Sequence, residues 1–349
     1  MSSDLHRVGH IFSTGQTNIT SHLCGSGTVD GQGKDWGRFI VTTMEIPWQL
    51  VGPRLGARPV AVIMTESMEE TWFENQVAQA PECDTVVAVG GGQAIDFGKY
   101  LAWRLGVRLV TIPTVISVNA FATPKAAVRR QHQVDYVGDT SPNPLIIDYD
   151  LIRTAPSQLN IAGVGDILSI HTATFDWETA HRAGRDTHGF STADVQKARD
   201  ILKSIENNVD AIRSNTDIGL QTLIDAYLRI NSICLPVDHF RTEEGSEHFV
   251  FYELEERLGR NFIHGHIVGL GIYLMSRLQD NDAARITDLM DRLDLHYNPV
   301  HLQLDRTTLA DSLANLQSFC HRRGLWYSAA HEREASRAWI DDALNGLRF

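Results

Sequence analysis

The sequence predicts two regions of different class, an α/β N-terminal domain of the doubly wound type over residues 1–155 and an all-α C-terminal domain over 156–349. Three observations carry this. Apolar runs and helical patterns alternate through the first 150 residues. A glycine triplet, Gly90-Gly91-Gly92, joins one such run to a helical pattern in VVAVGGGQAIDFGK. Beyond about residue 155, apolar positions recur at helical spacing and β-rich patterning nearly disappears.

Each element has its own warrant. RFIVTT (38–43) and PVAVIMT (59–65) are β-branched apolar runs flanked by Gly or Pro and read as strands. MEETWFENQVAQA (68–80) reads as a helix, with Ser67 as N-cap and Glu69 and Glu70 in its first turn. TVVAVG (85–90) is apolar throughout, as a strand buried on both faces of a parallel sheet must be. AIDFGKYLAWRLG (94–106) is the next helix, ended by Gly106. VRLVTIPT (107–114) is a strand stopped by Pro113, 126–138 a hairpin, and PLIIDYDLI (144–152) a last strand. GDILSIHTATFDWETAHRAG, TADVQKARDILKSIENNVDAIRS, LQTLIDAYLRINSICL and ARITDLMDRLDL then read as helices. The first 35 residues, rich in Gly, Ser and Thr, show no clear pattern.

Composition excludes several classes. At 349 residues the chain can build two cores, and its 43% apolar and 21% charged residues are ordinary for a globular enzyme. A formal charge of -12 argues against nucleic acid as a partner, which needs clustered Lys and Arg. No run reaches the roughly 18 apolar residues of a membrane span, so no membrane partner is expected. MSSDLHRVGHIF lacks the basic and apolar regions of a signal peptide. Cys24, Cys83, Cys234 and Cys320 form no CxxC pair and read as reduced thiols of a cytoplasmic protein.

Two features carry chemistry. The glycine triplet lets a diphosphate approach the backbone, and the helix behind it supplies N–H donors; a plain tight turn is the competing reading. Asp96 and Lys99 are three apart on that helix, as a surface ion pair or as two groups facing a cofactor. Asp166, His248 and His264 are one carboxylate and two imidazoles, a set able to hold a divalent cation with a position left open. Asp166 follows AGVG and could equally be an ordinary acid at a helix start; His264 would stand at the mouth of a helix bundle. Spacing alone leaves His266, His171 and His239 in competition.

These motifs together resemble the dehydroquinate synthase-like and iron-containing (group III) alcohol dehydrogenase superfamily, and within it most of all the sn-glycerol-1-phosphate dehydrogenases. GGGxxxDxxK, PTxxS, AGxGDxLSxxTAxxDW and GSEHxxxxxxE followed by an HG pair occur in family order over roughly residues 84–275. The resemblance implies a Rossmann-like N-terminal domain and a helical C-terminal domain, the dehydroquinate synthase-like fold. It assigns NAD or NADP to Gly90, Gly91, Gly92, Asp96, Lys99, Thr114, Ser117 and Thr123. It assigns one divalent metal, zinc in the glycerol-phosphate enzymes and iron or zinc elsewhere, to Asp166, His248 and His264. It also implies a small-molecule substrate and self-association into a homo-oligomer.

The chain departs from the family pattern at the candidate catalytic positions. Asn119 stands where an Asp is usual and has no general-base capacity. Tyr252 replaces a substrate-contacting His one turn after His248. Lys125, six residues after Asn119, matches the anion-binding Lys of dehydroquinate synthases and could form a clamp with Arg129 and Arg130, or all three could be solvated. His266 replaces the Glu of the usual HGE triplet and could move a proton, as could Tyr252 or His171. The stretch between 59–67 and 84–92 is short for an adenosine wall; Glu66, just past the second strand, could accept ribose hydroxyls and favour NAD.

The function expected is a metal-dependent, NAD(P)-linked oxidoreductase on a small polyol, possibly phosphorylated. Two alternatives stand beside it. One is a dehydroquinate-synthase-like cyclase that uses NAD catalytically on a sugar phosphate; the other is a metal-binding relative that has lost activity.

Overall fold

The computed structural model describes residues 18–130 and 133–349, so the leader reading of residues 1–12 lies outside the described residues. The chain divides into two compact units, Met1–Asn160 and Ile161–Phe349.

The first unit is built on β1 (His22–Gly25), β2 (Phe39–Thr43), β3 (Ala61–Met64), β4 (Thr85–Gly90), β5 (Arg108–Pro113) and β8 (Leu145–Asp148), with β6 (Ala126–Arg130) and β7 (Gln133–Val137) as a separate antiparallel hairpin. The six strands pair in parallel in the order β1-β8-β5-β4-β2-β3. Helices α1 (Glu45–Val51), α2 (Glu70–Gln79) and α3 (Gly92–Leu105) connect β2 to β5, and α4 (Tyr149–Ile152) follows β8. Alternating inward residues of the central strands, Val41, Val87, Val89, Val110, Ile112 and Ile146, pack with Trp36, Phe39, Val51 and Leu55 into one core. Because β3 and β4 lie on opposite sides of β2, the direction of the chain reverses there, and the carboxyl ends of β2 and β4 flank the switch point at which such sheets bind ligands.

Three local expectations need correction and a fourth holds. The 68–80 helix begins at Glu70 with Glu69 as N-cap; the Ser67 hydroxyl instead accepts from the Glu69 N–H at 3.0 Å. The last strand stops at Asp148, whose buried carboxylate caps α4 by accepting from the Asp150 and Leu151 N–H groups and so ends the extended chain. Within the poorly patterned start, the four residues of β1 pair with β8. The short wall noted before β4 is real, since β3 is an edge strand with only α2 between it and β4.

The second unit is helical throughout its described residues. After α5 (Ser157–Leu168) come α6 (Ile170–Arg182), α7 (Thr192–Glu206), α8 (Val209–Arg213), α9 (Asp217–Cys234), α10 (Ser246–Leu258) and α11 (His264–Gln279). They are followed by α12 (Ala283–Arg292), α13 (Pro299–Leu302), α14 (Arg306–Arg323), α15 (Ala329–Glu332) and α16 (Arg337–Asn345). The stretches 165–184 and 192–214, each read as one helix, are interrupted at Ser169 and at Asn207–Asn208. No helix is long and apolar enough to cross a membrane, among the described residues.

Candidate metal centre and dinucleotide turn

In the helical unit, glycines set the metal centre. A Cβ on Gly265 would overlap the Ala162 carbonyl, and one on Gly165 would overlap the Gly265 carbonyl. Backbone therefore meets backbone where α5 crosses α11, and the neighbours of these glycines, Asp166 and His264, are carried together. Gly271 does the same for α11 against the Glu247 carbonyl on α10, one residue from His248.

The result is a convergence. One ligand atom from each of Asp166, His248 and His264 lies within 4.8 Å of the others. His264 Nε2 is 2.8 Å and His248 Nε2 is 3.8 Å from Asp166 Oδ1. His266, His171 and His239 are elsewhere. The His266 ring faces His296 at 5.4 Å between centroids. His171 Nε2 is 2.7 Å from the Asn281 carbonyl, in a polar pocket of about 410 Å³ that Arg199, Lys203 and Arg285 also line. His239 packs edge-on to Trp177 and His188.

Asp166 lies in the last turn of α5, not at a helix start, so the helix dipole opposes its charge. Burial would also push this carboxyl up, but His264 beside it, with His248, holds it well below the ordinary carboxylate range. Burial opposes charge on His248, yet Asp166 and Glu247 raise it well above the usual histidine value. Oδ1 of Asp166 is buried and receives no directed hydrogen bond. A buried carboxylate oxygen without a donor, facing two imidazole nitrogens, fits a cation, and the N/O donor set suits zinc or iron.

Three carboxylates around the triad escaped the sequence reading. Glu247 contacts His248 Nδ1 at 2.8 Å. Glu243 is buried with neither carboxylate oxygen hydrogen-bonded, and burial followed by Asp166 pushes it well up. Burial likewise raises Glu244, against the pull of His248 and His264. The Ser169 hydroxyl, at the break between α5 and α6, donates to the Asp166 carbonyl at 2.5 Å and also meets the Glu243 carbonyl. The run EEGSEH held all three acids in the sequence, and their proximity to a candidate ligand His was the available signal.

Tyr252 follows His248 by one turn, with 6.2 Å between their ring centroids. Phe251 sets its ring edge-on to His264 at 5.0 Å and makes an apolar wall.

In the first unit, β4 delivers the glycine turn to the switch point. Gly90 has φ +142°, which excludes a side chain without strain. Cβ atoms on Gly91 and Gly92 would press on Val115 and Val118 at 3.0 Å. Asp96 and Lys99 do pair, at 2.7 Å, but both are buried, so the surface version of that reading is wrong. Lys99 Nζ also donates to Thr123 Oγ1 (3.2 Å) and to the Lys125 carbonyl (2.5 Å), so it braces the 119–125 segment from beneath. Thr114 is buried, its N–H bonded to the Gly90 carbonyl at 3.0 Å, and Ser117 lies three residues on, in the loop after β5. Asn119 begins a short 3-10 turn, and its carbonyl accepts from the Ala122 and Thr123 N–H groups. Lys125 is 44% exposed, with Asp139 at 3.9 Å. The three-residue clamp does not form, because Arg130 is committed to both oxygens of Glu70 at 2.5 Å.

Comparisons agree with this architecture. The iron-containing alcohol dehydrogenase family matches residues 50–156. A glycerol-1-phosphate dehydrogenase [NAD(P)+] of Aeropyrum pernix is 28% identical over 263 residues, 75% of this chain and 73% of that one. One from Halorubrum lacusprofundi is 25% identical over 90% of this chain and 93% of its own length. Among solved structures, a probable glycerol dehydrogenase from Sinorhizobium meliloti superposes with TM-score 0.70 at 19% identity, covering 94% of this chain and 96% of that one, and shares the fold.

Proposed function

We propose that this chain, whose residues 50–156 match the iron-containing alcohol dehydrogenase family, is a metal-dependent, NAD(P)-linked oxidoreductase of a small polyol or polyol phosphate. The observation that carries the proposal is the convergence of Asp166, His248 and His264 within 4.8 Å around an oxygen that no donor satisfies. We assign zinc to that triad and the dinucleotide to the turn at Gly90, Gly91 and Gly92, with Asp96, Thr114, Ser117 and Thr123. When bound, the ion supplies Lewis acidity to a substrate hydroxyl and the nicotinamide supplies the hydride acceptor.

The chain's own residues do the rest. Asp166 faces both imidazoles and Glu247 faces His248 Nδ1, and together they hold the donor set in place. Phe251 shields His264 from water on one side, which strengthens the local electrostatics. Tyr252 takes the hydroxyl proton towards solvent, since Asn119 cannot act as a base and serves as a hydrogen-bonding group. Lys125, whose nearest carboxylate is 3.9 Å away, holds an anionic tail where the substrate has one. Lys99 positions the 119–125 segment rather than touching cofactor. His266, facing His296, takes no part. A homo-oligomer working in the cytoplasm completes the proposal.

The test is the nicotinamide absorbance of zinc-loaded protein with NADH or NADPH and dihydroxyacetone phosphate. Steady loss is expected. Cofactor binding without loss would exclude this phosphorylated substrate, and turnover of a sugar phosphate with no net absorbance change would favour the cyclase. Failure to bind either cofactor would sink the proposal in favour of an inactive metal-binding relative.

A further inference from the structure

We infer that Glu247 is the positioning residue of the metal centre: it fixes His248 as the Nδ1–H tautomer and thereby turns the Nε2 lone pair towards Asp166 and His264. The inference rests on the metal-site reading above.

Glu247 is fully buried, and three donors reach its two oxygens. Oε1 accepts from the Gly245 N–H at 2.5 Å and faces His248 Nδ1 at 2.8 Å, while Oε2 accepts from the Thr172 hydroxyl at 2.7 Å. A carboxylate placed this way only accepts, so the hydrogen in the 2.8 Å contact belongs to Nδ1. Nε2 is then the ring nitrogen left to face the metal position, as the ligating nitrogen must be. Its 3.8 Å from Asp166 Oδ1 is too long for a hydrogen bond. It is near the roughly 3.3 Å between two donors of one tetrahedral ion bonded at about 2.0–2.1 Å.

Neighbouring elements hold this residue by side chain and by backbone. Thr172 belongs to α6, Gly245 is the residue before α10, and the Gly271 contact seats α11 on the Glu247 carbonyl. Gly245 has no room for a side chain, because a Cβ there would lie 2.8 Å from Asp176 Oδ2 and 2.9 Å from Glu247 Oε2. An acid in the first turn of a helix is favourable even when solvated. Complete burial without a Lys or Arg hydrogen-bonded to it is costly, and orienting a ligand accounts for that cost.

The experiment combines nitrogen-15 histidine spectra with zinc affinity measured by chelator competition, on the full chain. The wild type should show His248 with hydrogen on Nδ1 in both apo and zinc-loaded protein. Glu247→Ala should lose that preference and bind zinc about 10- to 100-fold more weakly at unchanged stoichiometry. Glu247→Gln keeps an acceptor oxygen and should recover most of the loss. If the Ala variant fails to fold, Thr172→Val decides the matter, since it removes one donor to Glu247 and should weaken zinc binding by a smaller factor. Wild-type affinity in a folded Ala variant, or in Thr172→Val where Ala does not fold, overturns the inference, as does zinc held through Nδ1, with hydrogen on Nε2, in the zinc-loaded wild type. A wild type that binds no zinc overturns the metal-site reading instead, which separates the two failures.

Discussion

The two units use glycine in opposite ways. At the carboxyl end of β4, Gly90 holds a backbone conformation denied to other residues and opens a surface over the start of α3. In the helical unit, Gly165, Gly265 and Gly271 keep ordinary helical conformations and abolish space, so that three helices touch backbone to backbone. One cluster leaves room for a ligand; the other removes room so that side chains on different helices can become one site. A substitution in the first cluster should therefore cost ligand affinity first, and in the second stability and the site together.

The largest effect is expected from Gly265→Val. The new side chain meets the Ala162 carbonyl, and the crossing of α5 and α11 can relieve it only by separating. Loss of more than about 4 kcal/mol is expected, with no bound zinc, as read by thermal unfolding and metal analysis. A stable, zinc-binding variant would break the comparison. Next is His264→Ala, which should abolish zinc binding and, by taking from the buried Asp166 its nearest imidazole, lower the unfolding midpoint of the apo protein by less than Gly265→Val does. Retained stoichiometry would mean that the ligand set is wrong.

Lys99→Met leaves Asp96 buried without its partner and removes the brace beneath Thr123 and Lys125. Destabilisation on the order of 3 kcal/mol is expected, together with weaker cofactor binding. Gly90→Ala should cost about 1–3 kcal/mol through backbone strain and weaken dinucleotide binding measured by fluorescence, with zinc stoichiometry untouched. Were zinc lost as well, the two clusters would not be separable.

The smallest effect sharpens the picture by pH. Burial pushes Asp225 up to about 6 from an ordinary 3.8, so between these values the folded chain holds a proton that the unfolded chain releases. That contribution favours folding fully below about pH 4 and is lost as pH rises through 6. Asp225→Asn should thus raise the unfolding midpoint by a few degrees at pH 7.5, and the gain should vanish near pH 3.5. An equal gain at both pH values would show that the charge is not the cause.

Much of this molecule was readable in one dimension, for reasons that particular residues make clear. TVVAVG announces a strand because a parallel sheet covered on both faces tolerates little else. HLCG does not announce β1, because four residues of mixed polarity become a strand only when β8 is there to pair with. Reading PLIIDYDLI as all strand ignored the capping capacity of Asp148. Asp166, His248 and His264 were visible as ligand types in recognisable motifs. Glu247 was not, because the partner that gives it a role, an imidazole nitrogen at 2.8 Å, is a matter of rotamer and not of spacing. The apparent clamp of Lys125, Arg129 and Arg130 failed for a like reason, since Glu70, sixty residues away in sequence, holds Arg130.

The backbone crossing at Gly165 and Gly265 has a consequence for metal supply. Since helix packing brings Asp166 and His264 together, an ion held by the proposed triad would not be the scaffold of its own site. A chelator should strip it and leave a folded chain ready to reload, unlike a small zinc domain that unfolds on removal. A preassembled carboxylate and two imidazoles bind first-row ions in the order of their intrinsic affinities. Under the proposed assignment the ion carried should then follow what the cell has free, and the same polypeptide should isolate with different occupants from cells grown on different metals.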